Sequence, residues 1–539
     1  MDTTPVPHDL IVVGAGFTGM HAVIHAARQG LDVLGLETGA DVGGTWYWNR
    51  YPGSRCDVES IDYSYSFDEE LEREWRWTER YATQPEILRY LEHVADRFDV
   101  RRHYRFEQEV AAADWDEGTQ RWTVRTTSGL VAAARWLLMA SGSLSRPLAP
   151  TIPGRADFAG EVYFTAAWPK EPVDLNGKRV GLIGTGSSGI QSAPIIAAAA
   201  KELVVYQRTA NYSVPALNRP IGDEEWAREQ QQLPERRRLS WHGLAGSPWT
   251  AHPVPFETLR PAERDAVFEE SWERGGVLFA KAFMRQTVDP AINEAARRFF
   301  ERKLAQAVRD PQTLADLTPD DHPIGTKRIC TDSGYYAMFN EPHVSLVNLK
   351  RDPIVEITPG GIRTRSGERE LDVLVFATGF DALTGALTAM EIRGRQGVLL
   401  RDAWATRVTT YLGIAVPGFP NLLTLNGAGT PSVLTNMALG GEQQSDYALR
   451  LIAHCARQGF TSAEASADAA EAWTTHVAEV AAGTLFATTR SWYTGSNVEG
   501  KPADFLPYLG GFRPYIDKLE QIAAEGYPGF VLGSVAGSS

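Results

Sequence analysis

Cysteine is scarce in this chain of 539 residues, which contains only Cys56, Cys330 and Cys455. The three are far apart and no C-x-x-C pair occurs, so the sequence indicates neither a disulfide framework nor a zinc site. We therefore expect no bound metal. Unpaired cysteines are typical of a reducing compartment, which predicts a cytoplasmic protein.

Long apolar runs and a surplus of basic charge are also missing. The most apolar stretches, such as residues 136–140, are far shorter than the roughly 20 residues that cross a bilayer, and the first ten residues lack the pattern of a signal peptide. The net charge is −14, whereas nucleic-acid binding requires a positive face. We expect neither a membrane nor a nucleic acid as partner, although a local basic pocket for a small phosphate ligand remains compatible with this charge.

The first chemistry-bearing motif is a glycine-rich turn at residues 14–19. A buried strand at residues 10–13 precedes this G-x-G-x-x-G, and a helix of about residues 20–29 follows it. Glycines there permit a tight turn and close approach of a pyrophosphate to the helix N-terminus. Glu37 ends the next strand, where a carboxylate can bind a ribose diol and repels a 2′-phosphate. This unit therefore favours FAD or NAD over NADP.

A second G-x-G-x-x-G spans residues 184–189 in the same strand–turn–helix setting. Here the following strand ends in Arg208 and Thr209, close to the position that Glu37 holds in the first unit. A basic residue there favours the 2′-phosphate of NADP(H). The structural alternative for Arg208 is an ordinary solvated arginine.

Two dinucleotide motifs in one chain of globular composition predict an α/β fold with two Rossmann-like domains, for FAD and NADP, and a helical insertion. The predicted domain limits are 1–142 for the first part of the FAD-binding domain, 143–220 for the linker and first part of the NADP-binding domain, 221–322 for the helical insertion, 323–371 for the second part of the NADP-binding domain, and 372–539 for the rest of the FAD-binding domain with the C-terminal region. Hydride passing from a nicotinamide to a flavin can next reduce a disulfide, a quinone or O2. The lack of C-x-x-C disfavours a disulfide reductase and leaves oxygen chemistry in the lead.

Several further segments resemble type I Baeyer–Villiger monooxygenases, in particular the phenylacetone, steroid and cyclohexanone group. These segments, in the family's order, are GGTWYWNRYPGSRCD at residues 43–57, Phe158-x-Gly160 with Trp168-Pro169, GTKR at 325–328 with GYY at 334–336, ATGFD at 377–381 and SWYTG at 491–495. The resemblance extends from about residue 9 to residue 530. It departs from the family at one point, because Phe164 stands where the linker fingerprint has histidine, which puts the coupling of linker and nicotinamide-domain movement in doubt.

The resemblance implies an NADPH- and O2-dependent flavoenzyme that converts ketones to esters or lactones through a flavin C4a-peroxide, with S-oxidation as a side activity. It implies that Arg328 stabilises the anionic oxygen species and that Asp57 holds Arg328 in place. It also implies that Lys327 joins Arg208 and Thr209 at the 2′-phosphate, and that Trp492 closes over NADP(H). The structural alternatives are a surface arginine for Arg328, a turn cap for Asp57 and a core tryptophan for Trp492.

The motifs and the resemblance together name the candidate site residues. The expected cofactor-binding residues are Gly14, Gly16, Phe17, Gly19, Glu37, Gly44, Thr45, Trp46, Trp48, Asp57, Tyr63, Val110, Gly184, Thr185, Gly186, Ser187, Ser188, Gly189, Arg208, Thr209, Lys327, Arg328, Ala377, Thr378, Gly379 and Trp492. The expected substrate-pocket residues, mostly small or apolar, are Ser143, Leu144, Ser432, Val433, Leu434 and Met437. They predict an apolar ketone substrate.

Three other functions remain open at this point. An N- or S-hydroxylating flavin monooxygenase needs no Arg328, but Trp168-Pro169 disfavours it. An NADPH oxidase that releases H2O2 is supported by Phe164 alone. A nucleotide-sensing protein would not need Asp57, Arg328 and Trp492 together. We expect a monomer or a weak homo-oligomer whose partners are a ketone and O2.

Overall fold

The computed structural model describes residues 6–534. The five residues at each end of the chain, which belong to the predicted FAD-binding domain, lie outside the described residues. The first five of them are also part of the stretch for which no signal peptide is predicted. The strands of this part of the chain are β1 (Val6–Val13), β2 (Val33–Leu36), β3 (Tyr104–Arg105), β4 (Val110–Asp116), β5 (Arg121–Thr126), β6 (Val131–Met139), β7 (Glu161–Phe164), β8 (Arg179–Ile183), β9 (Glu202–Gln207), β10 (Ser213–Pro215), β11 (Cys330–Asp332), β12 (Val344–Asn348), β13 (Ile354–Thr358), β14 (Gly361–Thr364), β15 (Gly367–Glu370), β16 (Val373–Phe376), β17 (Glu391–Arg393), β18 (Leu422–Thr424), β19 (Ser462–Ala465) and β20 (Phe530–Gly533).

The helices connect these strands or cover the sheets. They are α1 (Phe17–Arg28), α2 (Thr45–Trp48), α3 (Glu69–Glu74), α4 (Gln84–Arg97), α5 (Ser187–Ala199), α6 (Asp223–His242), α7 (Pro261–Arg274), α8 (Pro290–Ala307), α9 (Pro311–Leu317), α10 (Tyr335–Met338), α11 (Gly385–Ala389), α12 (Leu400–Ala403), α13 (Met437–Gln458), α14 (Ala467–Ala482) and α15 (Phe512–Ala524). No helix within residues 6–534 is both long and apolar enough to span a membrane.

The first sheet has eight strands in the order β17-β4-β5-β6-β1-β2-β3, with β18 also paired to β6. Its central strand β1 pairs in parallel with β2 and β6. Leu10 and Val12 belong to the core that includes residues of α1, α4 and α13, whereas Ile11 and Val13 belong to the core on the opposite face. A strand buried on both faces requires the uninterrupted apolar run at residues 10–13.

The second sheet has five strands in the order β12-β9-β8-β16-β7, and all four pairings are parallel. Helix α5 follows β8 directly and packs Ile190 into the same core as Val180 and Leu182. Each sheet thus contains one of the predicted strand–turn–helix units near its centre. The predicted α/β class with two Rossmann-like units is confirmed.

One predicted domain limit needs correction. The boundary between residues 371 and 372 assigns β16 to the FAD-binding domain, but β16 lies between β8 and β7 in the second sheet. Its four residues are all buried there, because a central parallel strand is covered on both faces. The chain returns to the first sheet only after β16, through β17 and β18. The other domain limits stay predictions.

The helical segment predicted at residues 221–322 contains α6 to α9. Helix α6 is attached to the first unit by ion pairs. Arg236 Nε lies 2.7 Å from Asp62 Oδ1 and its Nη2 lies 2.5 Å from Glu59 Oε2. Arg237 Nε lies 2.6 Å from Glu72 Oε1. These arginines are nearly buried, so each needs its carboxylate partner to offset the cost of leaving water.

Candidate active site

The first glycine-rich turn leaves no room for side chains. Gly14 has φ +108°, and a Cβ placed on it would lie 2.4 Å from the carbonyl oxygen of Ala140. A Cβ on Gly44 would lie 2.7 Å from the Cα of Gly16, so two glycine segments meet at the N-terminus of α1. A Cβ on Gly19 would collide with the Gly14 carbonyl. The turn therefore keeps backbone N–H groups accessible, which is what a dinucleotide pyrophosphate requires.

Glu37 lies directly after β2 and is buried. Its Oε2 accepts a hydrogen bond from the N–H of Ala15 at 2.8 Å, and its Oε1 accepts one from the N–H of Gly39 at 2.7 Å. Burial raises the pKa of Glu37, and the backbone hydrogen bonds oppose that rise. Each carboxylate oxygen keeps a second lone pair that can accept from a ribose hydroxyl.

Aromatic side chains surround the start of α1. The rings of Phe17 and Tyr63 meet edge to face with centroids 5.0 Å apart, and the Tyr63 hydroxyl accepts a hydrogen bond from Trp46 Nε1 at 3.3 Å. Trp46 is buried, whereas Trp48 in the same short helix α2, which begins at Thr45, is 41% exposed. The structure thus brings Phe17, Trp46 and Tyr63 together, while Trp48 is exposed and lies beside the carboxylate of Glu37.

Val110, the first residue of β4, is buried in the core on the far face of the first sheet. The segment before it lies beside the acidic end of β2. The N–H of Gln108 donates to the carbonyl of Glu37 at 2.8 Å. Val110 therefore lies near Glu37 because it follows Gln108 by two residues, while its side chain packs in the core.

The second glycine-rich turn repeats the geometry of the first. Gly184 has φ +111°, and a Cβ on it would lie 2.3 Å from the carbonyl oxygen of Ala377. A Cβ on Gly189 would lie 2.2 Å from the Gly184 carbonyl. By contrast, no atom lies within 4 Å of a Cβ on Gly186, the residue that precedes α5. Open space thus lies in front of a helix N-terminus, where an anion binds.

The hydroxyl side chains of this turn bind neighbouring segments. Thr185 Oγ1 donates to the carbonyl of Thr209 at 2.8 Å, which fixes the end of β9 against the turn. Ser188 Oγ lies 3.0 Å from Thr165 Oγ1 in the linker. Ser187 Oγ lies 3.4 Å from Cys330 Sγ.

Residues 377–379 lie beside the second turn, since they follow β16. Thr378 Oγ1 donates to the carbonyl of Leu148 at 2.6 Å and so connects the two chain segments that pass between the sheets. Gly379 has φ +78°, the left-handed region that glycine adopts without strain.

Two cationic side chains lie near the end of β9. Arg208 is exposed, and Lys327 Nζ lies 3.4 Å from Asp321 Oδ2. Burial lowers the pKa of Lys327, and the positive charges of Arg208 and Lys350 act in the same direction against the attraction of Asp321. Concentrated positive charge next to the second turn favours an anionic ligand.

Arg328 joins three parts of the chain. Its Nε donates to Asp57 Oδ2 at 2.8 Å and its Nη2 to Asp57 Oδ1 at 2.6 Å, while its Nη1 donates to the carbonyl of Val433 at 2.8 Å. Burial lowers the pKa of Arg328, but the Asp57 carboxylate outweighs burial and raises that pKa above its ordinary value. The guanidinium is therefore positive at any working pH and is held in a fixed orientation.

The predicted substrate-pocket residues lie in two groups. Val433, Leu434 and Met437 pack in a small apolar cluster with Trp492 and Tyr493. Leu144 packs in a second cluster that also includes Trp492, so this tryptophan lies between both groups. Trp492 is half-buried and its ring centroid is 4.2 Å from that of Tyr493.

Ser143 and Ser432, the polar members of the predicted pocket, are buried. The carbonyl of Ser143 accepts from the N–H of Leu383 at 2.9 Å, and Ser432 Oγ donates to the carbonyl of Asn426 at 2.6 Å. Ser432 has φ +44°, a strained value for a residue with a side chain. The hydrogen bond of Ser432 therefore helps to hold the loop that carries the Val433 carbonyl to Arg328.

Phe164, the departure from the linker fingerprint, stacks on Phe376 with ring centroids 5.0 Å apart and planes 21° apart. The two residues are also register partners in β7 and β16. The linker strand is thus fixed to the edge of the second sheet by aromatic contact.

Three contacts at the site could not be predicted from the spacing of residues in the sequence. They are the Val433 carbonyl that accepts from Arg328, the stacking of Phe376 on Phe164, and the hydrogen bond of the Tyr51 hydroxyl to Gln191 Oε1 at 2.8 Å. The last one connects the tryptophan-rich segment of the first unit to α5 of the second. Tyr51 lies within residues 43–57, which resemble the family, so the resemblance points to this residue although residue spacing does not.

Comparisons with known proteins agree with this geometry. A family model described as pyridine nucleotide-disulphide oxidoreductase matches residues 11–220, the stretch that contains both glycine-rich turns. The chain is 40% identical over 534 residues to a Baeyer-Villiger monooxygenase of Pseudooceanicola batsensis, which covers 98% of this chain and 97% of the relative.

Solved structures give the same result. A structure of oxidized steroid monooxygenase bound to NADP has a TM-score of 0.94 and 49% identity, and covers 98% of this chain and 100% of its own. A complex of OTEMO with FAD and NADP has a TM-score of 0.95 at 38% identity, with the same coverage. Both the sequence and the fold match over nearly the full length, and the chain therefore belongs to the Baeyer–Villiger monooxygenases.

Proposed function

We propose that this enzyme uses FAD, NADPH and O2 to convert apolar ketones to esters or lactones, and that Arg328 and Asp57 are its central catalytic pair. The observation that carries the proposal is the bidentate contact between Arg328 and Asp57, together with the bond from Arg328 to the Val433 carbonyl. This arrangement holds a permanent positive charge between the flavin-side segment and the predicted substrate pocket.

The first glycine-rich turn fits FAD. Gly14, Gly16 and Gly19 would bring backbone N–H groups to the pyrophosphate, and Glu37 would bind the adenosine ribose. Phe17, Trp46 and Tyr63 supply apolar walls, with Gly44 and Thr45 at the adjoining turn. When bound, the flavin supplies the hydride acceptor and the O2-activating centre of the reaction.

The second turn fits NADPH. Gly184, Gly186 and Gly189 would accommodate its pyrophosphate at the start of α5, where the structure has open space. Arg208 and Lys327 would bind the 2′-phosphate, and this selects NADPH over NADH. Thr209, held by Thr185, positions the end of the strand that carries Arg208.

Arg328 would stabilise negative charge that develops on oxygen during the reaction. A guanidinium suits this task because it remains charged and donates hydrogen bonds in several directions. Preorganised donors of this kind lower such barriers by about 3–4 kcal/mol each. Asp57 acts by holding the guanidinium, so that it need not reorient during the reaction.

The apolar cluster around Val433, Leu434 and Met437 supports an apolar ketone as substrate. Leu144 and Trp492 extend this surface, and Trp492 can also cover the nicotinamide, which would exclude water from the site. Apolar side chains of this kind do not require polar groups on the substrate, so aryl, cyclic and polycyclic ketones all fit the proposal.

Two further features follow from the proposal. A cytoplasmic location would provide NADPH and keep the three buried free cysteines reduced. A monomer or weak homo-oligomer suffices, since both cofactor turns and Arg328 belong to a single chain.

The proposal is tested by stoichiometry. The purified holoenzyme is mixed with NADPH, air and a panel of aryl, cyclic and steroidal ketones, and NADPH loss, ester and H2O2 are measured together. We expect one ester or lactone for each NADPH with at least one ketone. NADPH loss matched by H2O2 across the panel would instead favour the oxidase alternative, and oxygenation of an amine or sulfide without any ester would favour the hydroxylating one.

A further inference from the structure

Helices α1 and α13 cross in close contact on one face of the first sheet. A Cβ placed on Gly441 of α13 would lie 2.4 Å from Thr18 Oγ1 of α1, so the backbones approach as closely as glycine permits. His21 and His25 are one turn apart on α1. Asp446 is on α13, next to both histidines.

These three side chains converge without bonding to each other. His21 Nε2 lies 4.0 Å from Asp446 Oδ1, and His25 Nδ1 lies 3.9 Å from the same oxygen. The two imidazole rings stack with centroids 4.1 Å apart. One ligand-type atom from each residue lies within 4.8 Å of the other two. The separations exceed hydrogen-bond length, so the three side chains do not form a hydrogen-bonded triad, and a cation between them would draw them closer together.

His21 is the unusual member of this cluster. It is completely buried, and within the described residues neither Nδ1 nor Nε2 has a hydrogen-bond partner. His25 Nε2 is also buried without a partner. A buried polar atom that lacks a partner carries its full desolvation cost. An ion between the three residues would give His21 Nε2 a partner, and His25 would bind it through Nδ1, the nitrogen that faces Asp446.

We propose that His21, His25 and Asp446 bind a divalent transition-metal ion of the Zn2+ type. Two imidazole nitrogens and one carboxylate oxygen are ligands that such ions prefer, and they leave a fourth position for water. The Asp446 side chain is 49% exposed, which gives an ion and its water access from solvent.

The fit requires only a small contraction. Ligand atoms around tetrahedral Zn2+ are about 3.3 Å apart for bonds of about 2.0–2.1 Å. Asp446 Oδ1 would have to move about 0.6–0.7 Å closer to each of the two nitrogens, and its side chain is 49% exposed. The neighbouring cation Arg28 lies with its guanidinium 5.0 Å from the centre of the Phe98 ring and 3.9 Å from Asp68. Its positive charge also acts on both histidines and opposes a bound cation, and the Asp68 carboxylate offsets part of that charge.

The ion would act as a clamp between the two helices. Helix α1 begins at the glycine-rich turn of the first unit, and α13 begins at Met437 in the apolar cluster. A metal bond between them would stabilise the relative position of these two segments without taking part in oxygen transfer. The sequence predicts no metal, because its cysteines are far apart and because Asp446 is more than 400 positions from His25.

The test uses the holoenzyme after treatment with EDTA and dialysis, with ZnCl2 as the probe and MgCl2 as the comparison. We expect one Zn2+ per chain by elemental analysis and a melting temperature that rises by several degrees with ZnCl2 only, since an ion that binds the folded chain stabilises it. His25→Gln and Asp446→Asn change half-buried or exposed positions and should each weaken Zn2+ binding at least ~10-fold. His93→Gln is the matched control, because His93 also lies near a carboxylate, 3.6 Å from Glu74, but has no second histidine.

A second readout separates this site from other histidines. Co2+ added to the EDTA-treated holoenzyme should give a visible absorption spectrum of low-coordinate cobalt in the parent and in His93→Gln, and lose it in His25→Gln and Asp446→Asn. The proposal is overturned if the parent holds no Zn2+, or if the two cluster variants bind Zn2+ and Co2+ as the parent does. Loss of binding in His93→Gln alone would equally contradict it.

Discussion

The guanidinium of Arg328 and the carboxylate of Asp57 form two parallel hydrogen bonds of 2.8 and 2.6 Å, although 270 residues of chain separate them. Asp57 ends the tryptophan-rich segment of the first dinucleotide-binding unit, and Arg328 follows the helical insertion in the second. The contact therefore joins the two units, and we expect its removal to affect the reaction more than the fold.

Replacement of Asp57 tests the positioning role. Asp57→Asn should lower the rate of ester formation by about 100-fold, because the guanidinium of Arg328 no longer keeps its orientation without the Asp57 carboxylate. The measurement is kcat for ester formation across pH. Asp372→Asn is the matched control, since Asp372 makes the same bidentate contact with Arg179 at the opposite end of the second sheet. Equal losses in the two variants would remove Asp57 from the active site.

Replacement of Arg208 tests the 2′-phosphate assignment. Arg208→Ala should raise KM for NADPH by roughly 10–100-fold, as expected for the loss of about 1.5–3 kcal/mol from a charged hydrogen bond. KM for NADH should change by less than about 2-fold, since NADH has no 2′-phosphate. NADH is thus the internal control, and a parallel rise in both KM values would refute the assignment.

Phe164 should control how well NADPH oxidation is coupled to oxygen transfer. Phe164→Ala removes the stacking on Phe376 that holds the linker strand, so the share of NADPH that ends as H2O2 should rise several-fold. Phe164→His keeps a planar aromatic ring and should remain close to the parent. The H2O2 yield per NADPH, measured with a good ketone, decides this. An unchanged yield in Phe164→Ala would show that the linker contact has no influence on coupling.

Glu442 should make stability depend on pH. It is buried and accepts hydrogen bonds from Ser66, and burial raises its pKa from 4.5 to about 7. Between pH 4.5 and about 7 the folded chain therefore keeps a proton on Glu442 that the unfolded chain has released. The free energy of unfolding falls by about 3 kcal/mol as the pH rises through this window. The loss is complete above pH 7 and absent below pH 4.5.

Glu442→Gln should remove this contribution. Its melting temperature should match that of the parent near pH 5 and exceed it at pH 8, because the variant carries no buried charge at the higher pH. Glu479→Gln, on an exposed face of α14, is the control and should follow the parent at both values. A Glu442→Gln variant that is less stable than the parent at pH 8 would contradict the raised pKa.

The local parts of this fold could be predicted from the sequence. The run at residues 10–13 and the glycines that follow specify a buried strand and a tight turn by their own chemistry, and residues 180–189 do so again. Glu37 and Arg208 were identified because each follows a strand at a fixed distance from its turn. Arg328 and Asp57 required the resemblance, since neither spacing nor composition distinguishes them from surface charges.

Long-range pairing could not be predicted in the same way. The position of β16 in the second sheet depends on which neighbours cover both of its faces, and an apolar run alone does not say which sheet it joins. The same holds for β17 and β18, which return to the first sheet from a distant part of the chain. The Val433 carbonyl that accepts from Arg328 is a backbone group, so no side-chain pattern marks it.

We expect Arg328 to stabilise the oxygen-transfer step and not to be needed for hydride transfer. The experiment is rapid mixing of Arg328→Ala with NADPH, first without O2 to follow flavin reduction and then with O2 and a ketone to quantify ester. Arg328→Lys, which keeps the charge but loses the bidentate contact, and the double variant Arg328→Ala with Asp57→Asn, which removes the uncompensated carboxylate, are the controls.

We expect flavin reduction in Arg328→Ala to stay within a few-fold of the parent, while ester formation falls about 100–1,000-fold, the cost of one lost oxyanion donor. The double variant should show the same loss, and Arg328→Lys an intermediate one. Ester formation at the parent rate in Arg328→Ala would contradict a role of Arg328 in oxygen transfer.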